Sequence, residues 1–330
     1  MMVADVAQNE FSPLIVIVGP TAVGKTRLAV RLCEELGGEI ISADSRQVYR
    51  YMDIGTAKPT EEERRRVPHH LIDIVDPDEE FTLAQYQDLA YKAIDDVSRR
   101  GKVPFLVGGT GLYVKAVTEG FAIPRVKPNL ELRRRLYREA AEMGGDALYA
   151  RLQAVDPIAA ARIAPSNLRR IVRALEVYEE TGAPISHWQR REPPPYRILW
   201  VGLTMPRAEL YRRIDRRVDR MIERGLVDEV KSLVERGYNY DLPSMSGLGY
   251  RQIGMYLRGE VDLPTAIRLI KRDTRRFVRH QYNWFRLNDK RIHWFDMTSD
   301  PYDEIAVLIA SFLEQGPVMR NREVPHSTCR

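Results

Sequence analysis

Eight residues near the amino terminus, Gly19-Pro-Thr-Ala-Val-Gly-Lys-Thr26, follow the spacing G-x-x-x-x-G-K-T. Glycines let the backbone curl until successive amides point at one group of phosphate oxygens. A helix opening at the end of such a loop adds partial positive charge from its unpaired N–H groups. The Lys25 ammonium supplies a point charge to the same oxygens, and the Thr26 hydroxyl can ligate Mg²⁺. Gly19, Pro20, Thr21, Ala22, Val23, Gly24, Lys25 and Thr26 are therefore the candidate cradle for a diphosphate or triphosphate. The loop alone does not select ATP.

Two further segments can converge on that cradle. Asp44 opens Asp44-Ser45-Arg46-Gln47 about one residue past a second apolar run. In an open α/β sheet the strand carboxyl ends face the ligand crevice, which puts Asp44 opposite the loop. Three roles fit it: general base, Mg²⁺ ligand through water, or turn former. Ser45, Arg46 and Gln47 can read a base edge or form a solvated loop. The third apolar run, Val103 to Val107, ends in Gly108-Gly-Thr-Gly111 with no acid, unlike the Walker B strand of a nucleotide hydrolase. Thr110 there either donates to a ligand oxygen or sits in a tight turn.

The elements that must hold these residues are legible from periodicity. Leu14–Val18 is wholly apolar, as a strand buried on both faces requires. Leu28, Leu32 and Leu36 mark a helix ended by Gly37-Gly38, and Glu39–Ala43 is a second strand. Phe81–Arg100 reads as a helix capped by Thr82 and stopped at Gly101. Strand, helix, strand, helix, strand implies an α/β doubly wound parallel sheet. The composition then turns helical, with patterns at Leu130–Met143, Asp146–Ala154 and Leu168–Thr181, until Pro193-Pro-Pro195. Arg197–Leu203 returns as a strand, followed by helices over Arg207–Glu223, Val227–Arg236 and Pro264–Arg286, with Ile292–Phe295 as an edge strand. The expected organisation is a core over 1–122, a helical insertion over 123–195, a second part of the core over 196–315 and a disordered tail over 316–330.

Bulk properties bound the function class. The chain has 330 residues, 44% hydrophobic and 29% charged, as a soluble globular protein does. It lacks an apolar run long enough to span a bilayer, and Met1–Ser12 lacks the basic start and apolar stretch of a secretion signal, so a cytoplasmic location is expected. Two cysteines, Cys33 and Cys329, far apart, speak against a disulfide framework. Net charge is +5, which permits a polyanionic partner. From Pro264 to Arg291 there are seven Arg and two Lys against two Asp. Arg268, Arg272, Arg275 and Arg279 recur at helical spacing as one basic face, with Ile267, Ile270, Phe277 and Trp284 mostly elsewhere. A phosphate-tracking face has that pattern, whereas a solvated charged helix usually mixes signs.

Taken together, these segments resemble the tRNA dimethylallyltransferases, also called tRNA isopentenyltransferases. The resemblance rests on Gly19–Thr26, Ala43-Asp-Ser-Arg-Gln-Val-Tyr49, Met52-Asp-Ile-Gly-Thr-Ala-Lys-Pro59, His69-His-Leu-Ile-Asp73 and Gly108-Gly-Thr-Gly-Leu-Tyr113. It continues in Arg169-Arg-Ile-Val-Arg-Ala-Leu-Glu176, Gly249-Tyr-Arg-Gln252 and Arg279-His-Gln-Tyr-Asn-Trp-Phe285. It implies that the loop holds dimethylallyl diphosphate with Mg²⁺. The acceptor would be the exocyclic amine of the adenosine at tRNA position 37, beside the anticodon and flipped out of its stack. It implies Asp44 as general base and Arg217 as a diphosphate ligand with Lys25 and Thr26. Thr110 would lie at the substrate channel. The implied contacts to the anticodon stem-loop are Asp44–Gln47, Arg169, Arg170, Ile171, Val172 and Arg173. Gly247, Leu248, Gly249, Tyr250, Arg251, Gln252, Arg275, Arg279 and Arg286 complete that set. His69 and His70 read as structural. Cys329 and His326 are too few for the carboxy-terminal zinc finger of some eukaryotic relatives, so the shorter bacterial form is expected, acting as a monomer. Two rivals use some of the same residues: a small-molecule or nucleotide kinase, which needs no basic helix, and a non-catalytic RNA-binding protein, which needs no Asp44.

Overall fold

The structure, a computed structural model, describes residues 11–188 and 190–315. The expected tail and the Cys329–His326 pair lie outside the described residues. In chain order the elements are β1 (Ser12–Val18), α1 (Lys25–Leu36), β2 (Gly38–Ala43), α2 (Glu61–Arg66), β3 (His69–His70), α3 (Leu83–Arg99) and β4 (Val103–Gly108). Then come α4 (Gly111–Thr118), α5 (Leu130–Met143), α6 (Gly145–Val155), α7 (Pro157–Ala160) and α8 (Leu168–Thr181). The last are β5 (Tyr196–Thr204), α9 (Arg207–Glu223), α10 (Leu226–Glu235), α11 (Tyr250–Leu257), α12 (Leu263–Trp284), β6 (Ile292–Asp296) and α13 (Tyr302–Glu314).

The six strands form one sheet in the order β3-β2-β4-β1-β5-β6, every pairing parallel. A parallel sheet packed on both faces needs continuous apolar strands, and Leu14 to Val18 are all fully buried. Because all strands run the same way, their carboxyl ends share one edge. The register puts the ends side by side: Val18 and Ala43 each pair with Gly108, and Val18 also pairs with Gly202. The next residues, Gly19, Asp44 and Gly109, therefore start from one level of the sheet. Gly108 has no room for a side chain, since a Cβ would lie 2.1 Å from the Ala43 carbonyl oxygen. The doubly wound parallel core is thus as expected, with β6 at one edge.

The described chain divides into two compact units. One comprises residues up to 81, 89–114 and from 195 onward; the other comprises 82–88 and 115–194, so its edges differ from the expected insertion over 123–195. The second unit is built from α5 to α8 around Leu132, Leu136, Leu148, Leu152, Ile171, Val172 and Leu175. Asn129 and Asn167 cap α5 and α8 by accepting the Leu132 and Arg170 amides. Glu176 has no exposed surface and accepts from Arg133 and Arg173. Burial alone would raise its pKa, but those hydrogen bonds dominate and hold it below the ordinary carboxylate value.

Several elements carry no sequence pattern. β3 is a two-residue strand of histidines, held through His69 Nδ1 to the Val67 carbonyl and His70 Nε2 to Glu39. Glu39 is also gripped by Arg100, which with His70 pulls its carboxyl to about 2. Thr82 caps α3 as expected, its hydroxyl accepting from Gln85 N while Gln85 Oε1 accepts from Thr82 N.

Candidate active site

The loop from Gly19 to Thr26 turns through three residues with positive φ: Gly19 at 147°, Ala22 at 66° and Gly24 at 113°. A Cβ at Gly19 would lie 2.4 Å from the backbone oxygen of Leu203, so only glycine fits there. Gly24 caps α1, whose first residues are Lys25 and Thr26. Lys25 Nζ donates to the carbonyls of Gly19 and Pro20 at 3.0 and 2.9 Å, which folds the side chain over the loop. Burial pulls its pKa down to about 8; Asp44 opposes that shift and Arg217 reinforces it. Arg217 is likewise lowered by burial, with Asp44 opposing and Arg220 reinforcing. These mutual effects put Lys25, Asp44 and Arg217 within electrostatic reach of one another.

Two adjoining cavities share that triad. The larger, about 910 Å³, is lined by Lys25, Thr26, Asp44, Arg217 and further α9 arginines, with Thr56–Pro59 on its wall. The smaller, about 300 Å³, has Asp44, Thr110 and Arg217 beside the apolar side chains of Ile214, Val218, Met221, Leu248 and Phe277. Thr21, Lys25, Asp44, Thr56 and Arg217 border both. The loop is therefore not walled off from the carboxylate. Asp44 Oδ1 accepts the Arg46 amide at 2.9 Å, which orients the carboxyl.

The residues around the triad are tied by bonds between distant parts of the chain. Gln281, buried on α12, accepts the Thr21 amide at 2.8 Å and donates to the Gly109 carbonyl at 3.1 Å, clamping the phosphate loop to the end of β4. Glu229, on α10, accepts the amides of Asp53, Ile54 and Gly55 at 2.9, 2.7 and 3.1 Å. It also accepts the Tyr250 hydroxyl at 2.6 Å. Lys58, almost fully buried, donates to the Tyr49 carbonyl, Asp53 and Asp73. The segment Met52–Pro59 is thus a braced wall.

A scan of the sequence against family descriptions matches IPP transferase over residues 47–288 and isopentenyl transferase over residues 12–75. The tRNA dimethylallyltransferase of Roseiflexus castenholzii is 61% identical over 274 residues, covering 83% of this chain and 90% of that protein. The chain resembles the crystal structure of the full-length tRNA isopentenylpyrophosphate transferase of Bacillus halodurans at 47% identity and a TM-score of 0.68, covering 92% and 97%. A eukaryotic dimethylallyltransferase captured acting on tRNA gives a TM-score of 0.80 at 28% identity, covering 94% and 82%. The chain belongs to the IPP transferase family. It is a prenyltransferase, and the kinase reading is set aside.

Several residues that the IPP transferase motifs single out for RNA contact are occupied within the protein. Arg46 donates to the carbonyls of Pro243 and Ser244 and to the Ser246 hydroxyl, bracing that loop. Gln47 accepts from Ser42 and donates to the carbonyls of Thr56 and Ala57. The Thr110 hydroxyl accepts the Ser45 amide at 3.0 Å, joining the ends of β2 and β4. Ile171 and Val172 point into the core of the second unit, and Arg173 is committed to Glu176, whereas Arg169 and Arg170 are exposed. Tyr250 and Gln252 are 1% exposed. The Gln252 amide accepts from Gly249 N and donates to Asp273. These bonds commit the polar groups to the protein itself, while Arg46, Thr110, Gly247, Leu248 and Tyr250 all border the smaller cavity.

The expected basic face is also divided. Arg272 and Arg251 pair with Asp273, and Arg275 pairs with Asp215 of α9, which α12 packs against. Arg279 and Arg286 are exposed. Ile270 and Phe277, expected mostly off the basic face, line the smaller cavity. The clamp by Gln281 and the brace by Glu229 leave no mark in the sequence: their partners are 260 and about 175 positions away. Gln281 did stand inside a family motif, the one signal that could have exposed it.

Proposed function

We propose that the chain transfers a dimethylallyl group from dimethylallyl diphosphate to the N6 amine of adenosine at tRNA position 37, in the anticodon stem-loop, and releases diphosphate. The observation that carries this reading is the pair of cavities that share Asp44, Lys25 and Arg217. One offers cations and loop amides to a diphosphate. The other offers an apolar wall and a carboxylate to a five-carbon group and a base.

In this reading the amine nitrogen attacks the allylic carbon and the C–O bond to the diphosphate breaks. The bonding pair leaves with the diphosphate oxygen. The amine sheds one proton to Asp44, whose carboxyl is oriented by the Arg46 amide. A positioned carboxylate contributes roughly 10²–10⁴-fold to such a step. Charge growing on the leaving group meets Lys25, Arg217 and the amides of Gly19–Thr26, which need no reorganisation when the bond breaks. The prenyl methyls lie against Ile214, Val218, Met221 and Phe277.

The donor set suits Mg²⁺. Thr26 and Asp44 offer hard oxygens in one cavity, and among the described residues no group of three His, Cys, Asp or Glu forms a cage. An ion bound mainly by substrate oxygens and one or two protein oxygens is the usual Mg²⁺ arrangement, and it would offset diphosphate charge. Exposed Arg169, Arg170, Arg279 and Arg286 are the side chains best suited to RNA phosphates. No described helix is long and apolar enough to cross a membrane. Action as a cytoplasmic monomer belongs to the same proposal.

The test is incubation of the protein with radiolabelled dimethylallyl diphosphate, Mg²⁺ and unmodified tRNA. Label should enter the tRNA, and Asp44→Ala should stop transfer while tRNA still binds. Binding without transfer by the unaltered protein would leave only an RNA-binding role.

A further inference from the structure

We infer that the outer part of the larger cavity is a second station for a diphosphate, formed by Arg27, Arg220 and Arg224. It would capture the donor on entry and receive the released diphosphate. The inference rests on the prenyl-transfer reading above, because that reaction supplies both anions.

Helix α9 and its C-cap residue Arg224 bring Arg213, Arg216, Arg217, Arg220 and Arg224 to one cavity. Arg213, Arg217, Arg220 and Arg224 recur every three or four residues along one face. The five are not equivalent. Arg213 and Arg216 are paired with Glu209. Arg217 stands with Lys25 and Asp44 at the inner end. Arg220 reaches only the Arg216 carbonyl, at 3.3 Å. Among the described residues no carboxylate lies within ion-pair distance of Arg27, Arg220 or Arg224, and all three are exposed at the cavity. The acids nearby are otherwise engaged: Asp219 holds Lys271, and Glu63 closes the capping box of α2 with Thr60. Glu223, on the same wall, makes no hydrogen bond or ion pair among the described residues.

Uncompensated guanidiniums around a concave surface repel one another and focus a positive potential, which raises the arrival rate of anions. Guanidinium also matches phosphate oxygens in a two-point geometry. On α9 itself Arg213 and Arg216 are neutralised by Glu209, so Arg220 and Arg224, with Arg27, are the exposed uncompensated charges at this opening. The cavity, about 910 Å³, is large for a five-carbon diphosphate bound at Lys25 alone. Its lining includes Arg27, Arg220 and Arg224 as well as Lys25.

The experiment compares the full-length protein with Arg220→Gln/Arg224→Gln and, as a control for net charge, Arg134→Gln/Arg138→Gln on α5. Binding of inorganic diphosphate is measured by calorimetry, and initial rates are taken against dimethylallyl diphosphate at several salt concentrations. The α9 variant should bind diphosphate at least about fivefold more weakly. It should lose kcat/KM for the donor by a similar factor at low salt, with a flatter salt dependence, as loss of steering predicts. The control should match the unaltered protein, and Arg220→Lys/Arg224→Lys should recover the salt dependence. Equal diphosphate affinity in the α9 variant and the unaltered protein overturns the inference, as does a loss confined to kcat. If the unaltered protein transfers no prenyl group yet its diphosphate binding depends on Arg220 and Arg224, the station stands and the prenyl-transfer reading fails.

Discussion

Replacing Glu229 by alanine should loosen the wall of the donor cavity without touching any residue assigned to chemistry. The carboxylate accepts three consecutive backbone amides, at 2.9, 2.7 and 3.1 Å, and the hydroxyl of Tyr250. Hydrogen bonds to a charged group contribute about 1.5–3 kcal/mol each, but water can replace the carboxylate at exposed amides. The Asp53 amide is exposed; those of Ile54 and Gly55 are partly buried, and Tyr250 is buried. Counting mainly the buried partners gives a net cost of roughly 2–3 kcal/mol. For a folded unit of this size that lowers Tm by about 4–6 °C. Thermal unfolding followed by circular dichroism measures the first effect. Steady-state kinetics measure the second: KM for the donor should rise more than kcat falls, because Thr56–Pro59 line the cavity but take no part in proton transfer. Gly55→Ala should mimic it, since a Cβ there would lie 2.4 Å from the Tyr250 ring. Tyr250→Phe, which removes one buried hydroxyl donating to the Glu229 carboxylate, should cost at least about 1.5 kcal/mol. A Glu229→Ala protein with unchanged Tm and donor KM would refute the brace.

Four further outcomes follow from the same geometry. Lys25 must be protonated to hold a diphosphate, and its pKa is lowered to about 8, so kcat/KM for the donor should be flat below that pH and fall above it; a profile without that limb removes Lys25 from diphosphate binding. Gly19→Ala should abolish donor binding and destabilise the fold, because its φ is 147° and a Cβ meets the Leu203 backbone oxygen at 2.4 Å; a calorimetric titration with donor checks it. Arg279→Ala and Arg286→Ala should each reduce the salt slope of tRNA binding by about one. Arg275→Ala should leave that slope unchanged and lower Tm, since Arg275 is spent on Asp215; a flattened slope would show it touches phosphate.

The local chemistry of this chain is written in short stretches of its sequence. Gly19–Thr26 announces an anion cradle because glycine, lysine and threonine at those spacings serve little else. The apolar runs at β1, β2 and β4 announce a parallel sheet because burial on both faces forbids alternation. The extents of α5, α8 and α9 are legible from their helical period. β3 was not, since two histidines make no pattern, and neither α11 nor α13 was marked out. Tertiary structure alone decided which polar residues of each motif face the cavity and which hold its wall. Arg46, Gln47, Tyr250 and Gln281 line the cavities while bonded within the protein, Gln252 and Glu229 line neither, and Glu229 and Gln281 join segments 174 to 260 positions apart. A hydrogen bond across the fold leaves no periodic trace in the chain, because its geometry exists only once the sheet has brought the strand ends to one level.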